Sequence, residues 1–282
     1  MQSHNPAFRN DKAFSQGGYA TFDDTDHRGR GQAPTRGGYG SSQDMTPQQL
    51  QDMYAQPSAG GAQTGRMTYD DVVVRTGALF GVLVVAAAAT WVLTPAGAGL
   101  GLVLPLVLVA AGLGIWAQLS KKIRPGVMFA YALLMGAALG GISQVYETAW
   151  SGIVPSAIVG TLGAFAAMLV AYKTKIIRAT EKFKRFMAIA MMGFLAVVLV
   201  NLGVALFTGN SIYSTPFGWL VSLAGVLLAS FMLILDFDYI EQGVKNGLPQ
   251  QFAWRAAFGL VTTLVWLYIE MLRLLSILRG GE

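Results

Sequence analysis

The chain has 282 residues, of which 54% are hydrophobic and only 12% charged, with a net charge of +5; this composition excludes an ordinary soluble domain and indicates a membrane protein. Cysteine is absent, which rules out disulfides, thiolate metal sites and cysteine nucleophiles. The positive charge does not point to nucleic acid, because Arg28, Arg30 and Arg36 share their segment with Asp23, Asp24 and Asp26, as in a charge-mixed solvated tether.

Residues 1–70 hold most of the polarity and show no apolar period of 2 or 3.6, so they are expected to form a disordered Gly/Gln/Ser-rich tail. The pieces QGGYATFDD and RGGYGSSQD within it read as low complexity rather than as a structural repeat. The first thirty residues contain no apolar run, so no secretory signal is expected and the tail should stay on the mature protein.

Residues 71–282 form the second region, a transmembrane domain. About 20 apolar residues are needed to cross a hydrocarbon core of about 30 Å. Seven stretches qualify: 73–93, 99–119, 127–147, 153–172, 186–208, 217–240 and 256–278. TPAGAG, KKIRPG, SGIVPS and NGLPQQ punctuate them. The predicted fold is an all-α membrane protein, a seven-transmembrane-helix bundle with a disordered N-terminal tail.

Short basic loops stay in the cytoplasm. Lys121, Lys122 and Arg124 follow span two, Lys173, Lys175, Arg178, Lys182, Lys184 and Arg185 follow span four, and Lys245 and Arg255 follow span six. The loops after spans one, three and five hold no Lys or Arg. The expected orientation is therefore N-terminus inside and C-terminus outside. Gly77 and Gly81 in span one, and Gly136 and Gly140 in span three, have the four-residue spacing that lets helix backbones approach closely.

Acids inside spans are costly and usually face a cavity, a partner or a pathway. Span six carries Asp236 and Asp238, span seven carries Glu270, and Glu147 stands at the outer end of span three. Asp236 and Asp238 point about 200° apart on a helix, so one is expected to face inward. Asp238, nearer the cytoplasmic end, is read as wetting a pathway and Asp236 as the functional acid. Glu270 has two readings: it faces the bundle centre, or it forms an intrahelical ion pair with Arg273. If the last turn is centred on Leu248, Asp236 is level with Leu260 or Val261, and Glu270 lies about 13 Å further along. The two acids meet only if part of NGLPQQFAWR forms a separate interfacial piece broken at Pro249. A pair brought together in that way could share a proton that a rise in pH removes, or bind a hard cation such as Ca²⁺ through oxygen.

The runs LDFDYIEQG and WLYIEMLRLLSILRG look like the ends of spans six and seven in the Bax inhibitor/YccA family of seven-span membrane proteins. NPAF, GGISQVYE and NGLPQQFAWRAAFGL resemble its actinobacterial branch. The resemblance implies a pH-sensitive calcium leak channel of the bacterial inner (plasma) membrane, with a carboxylate pair as sensor. LDFDYI places the first family acid on Asp236, and LYIE places the second on Glu270. The family's supporting arginine on span two has no counterpart here, so Arg273 or Arg255 is expected to replace it, with Asp238 in support. Under this reading the chain is not an enzyme and needs no cofactor. Ca²⁺ is the transported ion, held by Asp236 and Glu270.

The expected partners are the lipid bilayer and no nucleic acid. The YccA branch also suggests a non-enzymatic interaction protein that modulates a membrane-anchored protease, or another membrane protein, through its tail. Proton-coupled transport is a further class, since span acids also serve as proton relays, but no pair of broken helices marks an inverted repeat. An intramembrane aspartyl protease would pair Tyr-Asp with Gly-x-Gly-Asp, whereas the acids here read LD and IE. A serine protease needs a histidine in a span, and His4 and His27 both lie in the tail.

Overall fold

A computed structural model describes residues 65–94 and 99–280. The predicted tail at residues 1–64 lies outside this range. Residues 65–70, assigned to the tail by composition, belong instead to the bundle. Arg66 bridges to Pro249, the Met67 amide donates to the Leu248 carbonyl at 2.8 Å, and the Met67 side chain is buried.

Among the described residues seven α-helices follow in chain order: α1 Tyr69–Leu93, α2 Gly99–Leu119, α3 Pro125–Ala149, α4 Ile153–Lys173, α5 Glu181–Thr208, α6 Gly218–Lys245 and α7 Phe252–Gly280. Each overlaps one predicted span. Six are long and apolar enough to cross a membrane, while in α2 the apolar helix is the shorter Val103–Leu119. The chain is thus an all-α, multi-pass membrane protein.

The helix starts follow from local chemistry. Thr68 caps α1 in a capping box with Asp71. Pro125 opens α3, where its missing N–H costs nothing. Thr180 caps α5, accepting from the Phe183 amide at 3.2 Å. Glu147 sits at the α3–α4 corner and accepts from the amides of Gly152 at 2.5 Å and Val154 at 2.9 Å. It therefore satisfies the start of α4 rather than facing the interior.

α7 is the central element and packs against α1, α3, α4 and α6. One of its faces joins Leu79, Leu83, Tyr131 and Leu139 through Phe258, Val261 and Val265. Another joins Val226, Leu233, Phe237 and Ile240 of α6 through Leu260 and Leu267. α1 and α3 meet at backbone distance: a Cβ on Gly136 would lie 2.3 Å from the Leu83 carbonyl oxygen, and one on Gly140 would lie 2.3 Å from that of Ala87. Of the two predicted glycine pairs, only this one is a helix contact, since Gly77 and Gly81 have open space beside them.

Candidate functional site

The α6–α7 hairpin carries the acids. α7 is one continuous helix from Phe252, so the interfacial break that would have brought Asp236 and Glu270 together is not formed. The turn is instead compact. The Leu248 amide donates to the Gly243 carbonyl at 3.0 Å, and the Gln250 amide donates to Gly65 at 2.8 Å. Asp71 and Arg75 of α1 clamp it from the side, through Gln250 Nε2 to Asp71 at 2.7 Å and Arg75 to the Gln250 carbonyl at 2.5 Å.

The register follows from this turn. Asp236, half-buried, accepts from the Thr263 hydroxyl at 2.7 Å, and a Cβ on Gly259 would lie 3.3 Å from its other oxygen. These neighbours bracket the predicted Leu260 and Val261. Glu270 lies further along the same seam, against Gly225 of α6, where an added Cβ would come within 2.7 Å of its Oε2. From Thr263 to Glu270 the separation is about 10 Å along the helix axis. The structure therefore does not bring the two carboxylates together, and they do not form one shared Ca²⁺ site. Among the described residues no three His, Cys, Asp or Glu side chains converge to hold a metal.

Between the two levels the seam is apolar. Ala229 and Leu233 of α6 and Leu267 of α7 are fully buried and belong to one apolar cluster. The seam thus has a carboxylate at each of two levels and an apolar septum between them.

Glu270 is the most enclosed acid described, with 2% of its surface exposed. Its Oε1 accepts from Arg273 Nη1 at 2.7 Å and from Trp266 Nε1 at 3.3 Å, so the intrahelical ion pair is formed. It does not exclude the interior position, and both readings of Glu270 hold at once. Oε2 is buried with no partner among the described residues, as is the hydroxyl of Ser222, three residues before Gly225 on α6. The Arg273 guanidinium lies 4.2 Å from the ring centre of Tyr213, the middle residue of the short 3₁₀ turn Ile212–Ser214 in the α5–α6 connection. Glu270 is therefore linked through one cation to the end of the bundle opposite Asp236.

Asp238 turns away from α7, as its spacing predicts, and is not free. Lys184 of α5 contacts it at 3.0 Å and Gln242 donates to it at 2.6 Å. Glu241, one turn on, accepts from Tyr172 of α4 and pairs with Lys245. Arg255 touches neither acid of the seam: its guanidinium donates to the Ser120 carbonyl at 2.6 Å and ties α7 to the α2–α3 loop. Of the two arginines expected to replace the family's supporting cation, only Arg273 contacts one of the two seam acids.

Sequence reasoning missed Thr263, Tyr213, Ser222 and Gly225. Ser222, Gly225 and Ala229 recur at spacings of three and four, a small-residue face that marks close helix packing; Tyr213 carries no local signal.

A family model described as Bax inhibitor 1 like matches residues 5–280. Comparison with curated proteins gives no match.

Proposed function

The chain belongs to the Bax inhibitor 1-like family, and from that premise we propose that it is a seven-span cation leak protein of the bacterial plasma membrane, passing Ca²⁺ along the α6–α7 seam under pH control. The basic loops put the tail and the α6–α7 turn in the cytoplasm and the C-terminus outside. The 21-residue α2 supplies the seventh span. Topology is checked with single cysteines, which are unambiguous in a chain that has none. Ser214→Cys should react with an impermeant maleimide from outside, and Lys182→Cys only after lysis.

The reading rests on two carboxylates that face one seam at different depths, with Glu270 keeping a buried oxygen that has no partner among the described residues. An ionisable side chain within a membrane span is expensive and by default marks an ion or proton path. Single-carboxylate stations bind a cation weakly, and conduction requires a site that an ion can leave. Glu270, against Gly225, is the outer station. Asp236, with Thr263, is the inner one. Protons compete with the cation for the same oxygens, so flux rises with pH. Arg273 holds Glu270 in the closed form, and the Ala229–Leu233–Leu267 septum is the barrier that opening must part.

Leu267→Ala tests the barrier. Truncating a buried leucine costs about 2–5 kcal/mol of packing. If about 1.4 kcal/mol of that falls on the closed form alone, the basal leak rises about tenfold. A leak no higher than wild type in dye-loaded proteoliposomes would remove the septum from the mechanism.

The interaction reading has its own support, because residues 65–68 join the tail directly to the α6–α7 turn. A partner that holds the tail would pull on the hairpin that carries both acids. Deleting residues 1–64 should leave the reconstituted leak within about twofold of wild type. Loss of the leak on deletion would instead make the tail part of the conducting machinery.

A further inference from the structure

At the end of the bundle where α4 and α6 finish and α1 begins, a cavity of about 1190 Å³ opens between these helices. Its walls are apolar, including Val72, Val73, Phe165 and Leu169, and Val73 and Leu169 are exposed where it opens sideways toward lipid. Its rim is cationic: Lys173, Lys175 and Arg178 line it together with the Lys245–Glu241 pair. The acids on this wall are already engaged, Asp238 by Lys184 and Glu241 by Lys245 and Tyr172. Among the described residues Lys173, Lys175 and Arg178 have no carboxylate partner. α1 and α4 share no extended contact, and a second, apolar cavity of about 460 Å³ is also lined by both helices, through Phe80, Val84, Ile158 and Leu162.

Surplus cations at the interface above an apolar slot complement one ligand chemistry: an anionic headgroup on a hydrocarbon chain. A soluble anion would leave the slot unfilled, and a zwitterionic lipid would leave the cations uncompensated. We propose that the α1–α4 groove is a binding site for an anionic phospholipid, its phosphate on Lys173, Lys175 and Arg178 and its acyl chains along Val73, Phe165 and Leu169. Basic pockets between spans on the cytoplasmic side suit acidic headgroups, and each cation adds several-fold to affinity. The cavity borders the turn end of the α6–α7 seam through Phe237, Ile240 and Leu260, but the proposal does not depend on the ion-leak reading.

The full chain is purified from nanodiscs containing equal amounts of phosphatidylglycerol and phosphatidylcholine, and retained lipid is counted by native mass spectrometry. Wild type should retain one phosphatidylglycerol, enriched at least fivefold over phosphatidylcholine. Lys173→Gln/Lys175→Gln/Arg178→Gln should lose that enrichment. Lys182→Gln/Arg185→Gln, which lowers the charge at the start of α5, outside the cavity lining, should keep it. Leu169→Trp, which fills the slot without changing charge, should also lose the lipid. The proposal is overturned if wild type shows no enrichment, if the Lys182→Gln/Arg185→Gln control loses it equally, if Leu169→Trp retains the lipid, or if inorganic phosphate displaces it.

Discussion

Gly136→Val and Gly140→Val should each abolish a stable, monodisperse protein, and the alanine substitutions should each lower stability by about 1–3 kcal/mol. The cause is backbone against backbone. An added Cβ at either position would sit 2.3 Å from a carbonyl oxygen of α1, and a carbonyl in a helix has no rotamer by which to move aside. Relief requires α1 and α3 to separate along a seam that also carries Leu83 and Leu139. Lipid gives little hydrophobic incentive to bring them back together, so close packing and Cα–H···O contacts are what hold such a seam. Gly81→Ala is the internal control: its added methyl meets open space, and its unfolding midpoint in detergent should match wild type. A Gly136→Ala midpoint equal to that of Gly81→Ala would contradict the packing described.

Arg273→Leu should destabilise the bundle by about 3 kcal/mol, the low end for breaking a buried ion pair because the arginine is itself part-exposed. The substitution leaves Glu270 with the Trp266 indole as its only described donor, and its Oε2 has no partner to begin with. It also removes the contact of the guanidinium with Tyr213, worth about 0.5–1 kcal/mol. The two parts separate in a double-mutant cycle. Glu270→Gln/Arg273→Leu should recover most of the loss, leaving only the Tyr213 part. A double variant as unstable as Arg273→Leu alone would show that the arginine acts through the loop and not through the acid.

The sequence made the spans legible because long apolar runs separated by punctuated loops have few other readings, but hydropathy marks a helix's apolar stretch rather than its ends. α5 begins at Glu181 and not at residue 186, because Thr180 supplies the cap. α6 runs on to Lys245 past the predicted end at residue 240, because Asp238 and Glu241 find cationic partners on the way. The register of the hairpin was also legible: a turn at Leu248 fixes what stands opposite Asp236. The opposed faces of Asp236 and Asp238 followed from helical geometry. The tertiary pairings had no local signal. Nothing near Arg255 points to the Ser120 carbonyl, and nothing near Tyr213 points to Arg273, since each contact joins segments far apart in the chain. The glycine pairs show the same limit from the other side, because Gly77 with Gly81 and Gly136 with Gly140 have identical spacing and only the fold decides which pair meets a neighbour.

In the proposed mechanism Asp236 and Glu270 are successive stations of one pH-controlled cation path. The most direct measurement is Ca²⁺ influx into dye-loaded proteoliposomes at pH 6 and pH 8, for wild type, Asp236→Asn and Glu270→Gln. The account predicts that wild-type flux is higher at pH 8 and that each substitution alone flattens the pH dependence, because the stations act in series. Flux that is absent in all three proteins at both pH values, or a pH dependence that survives both substitutions, would contradict it.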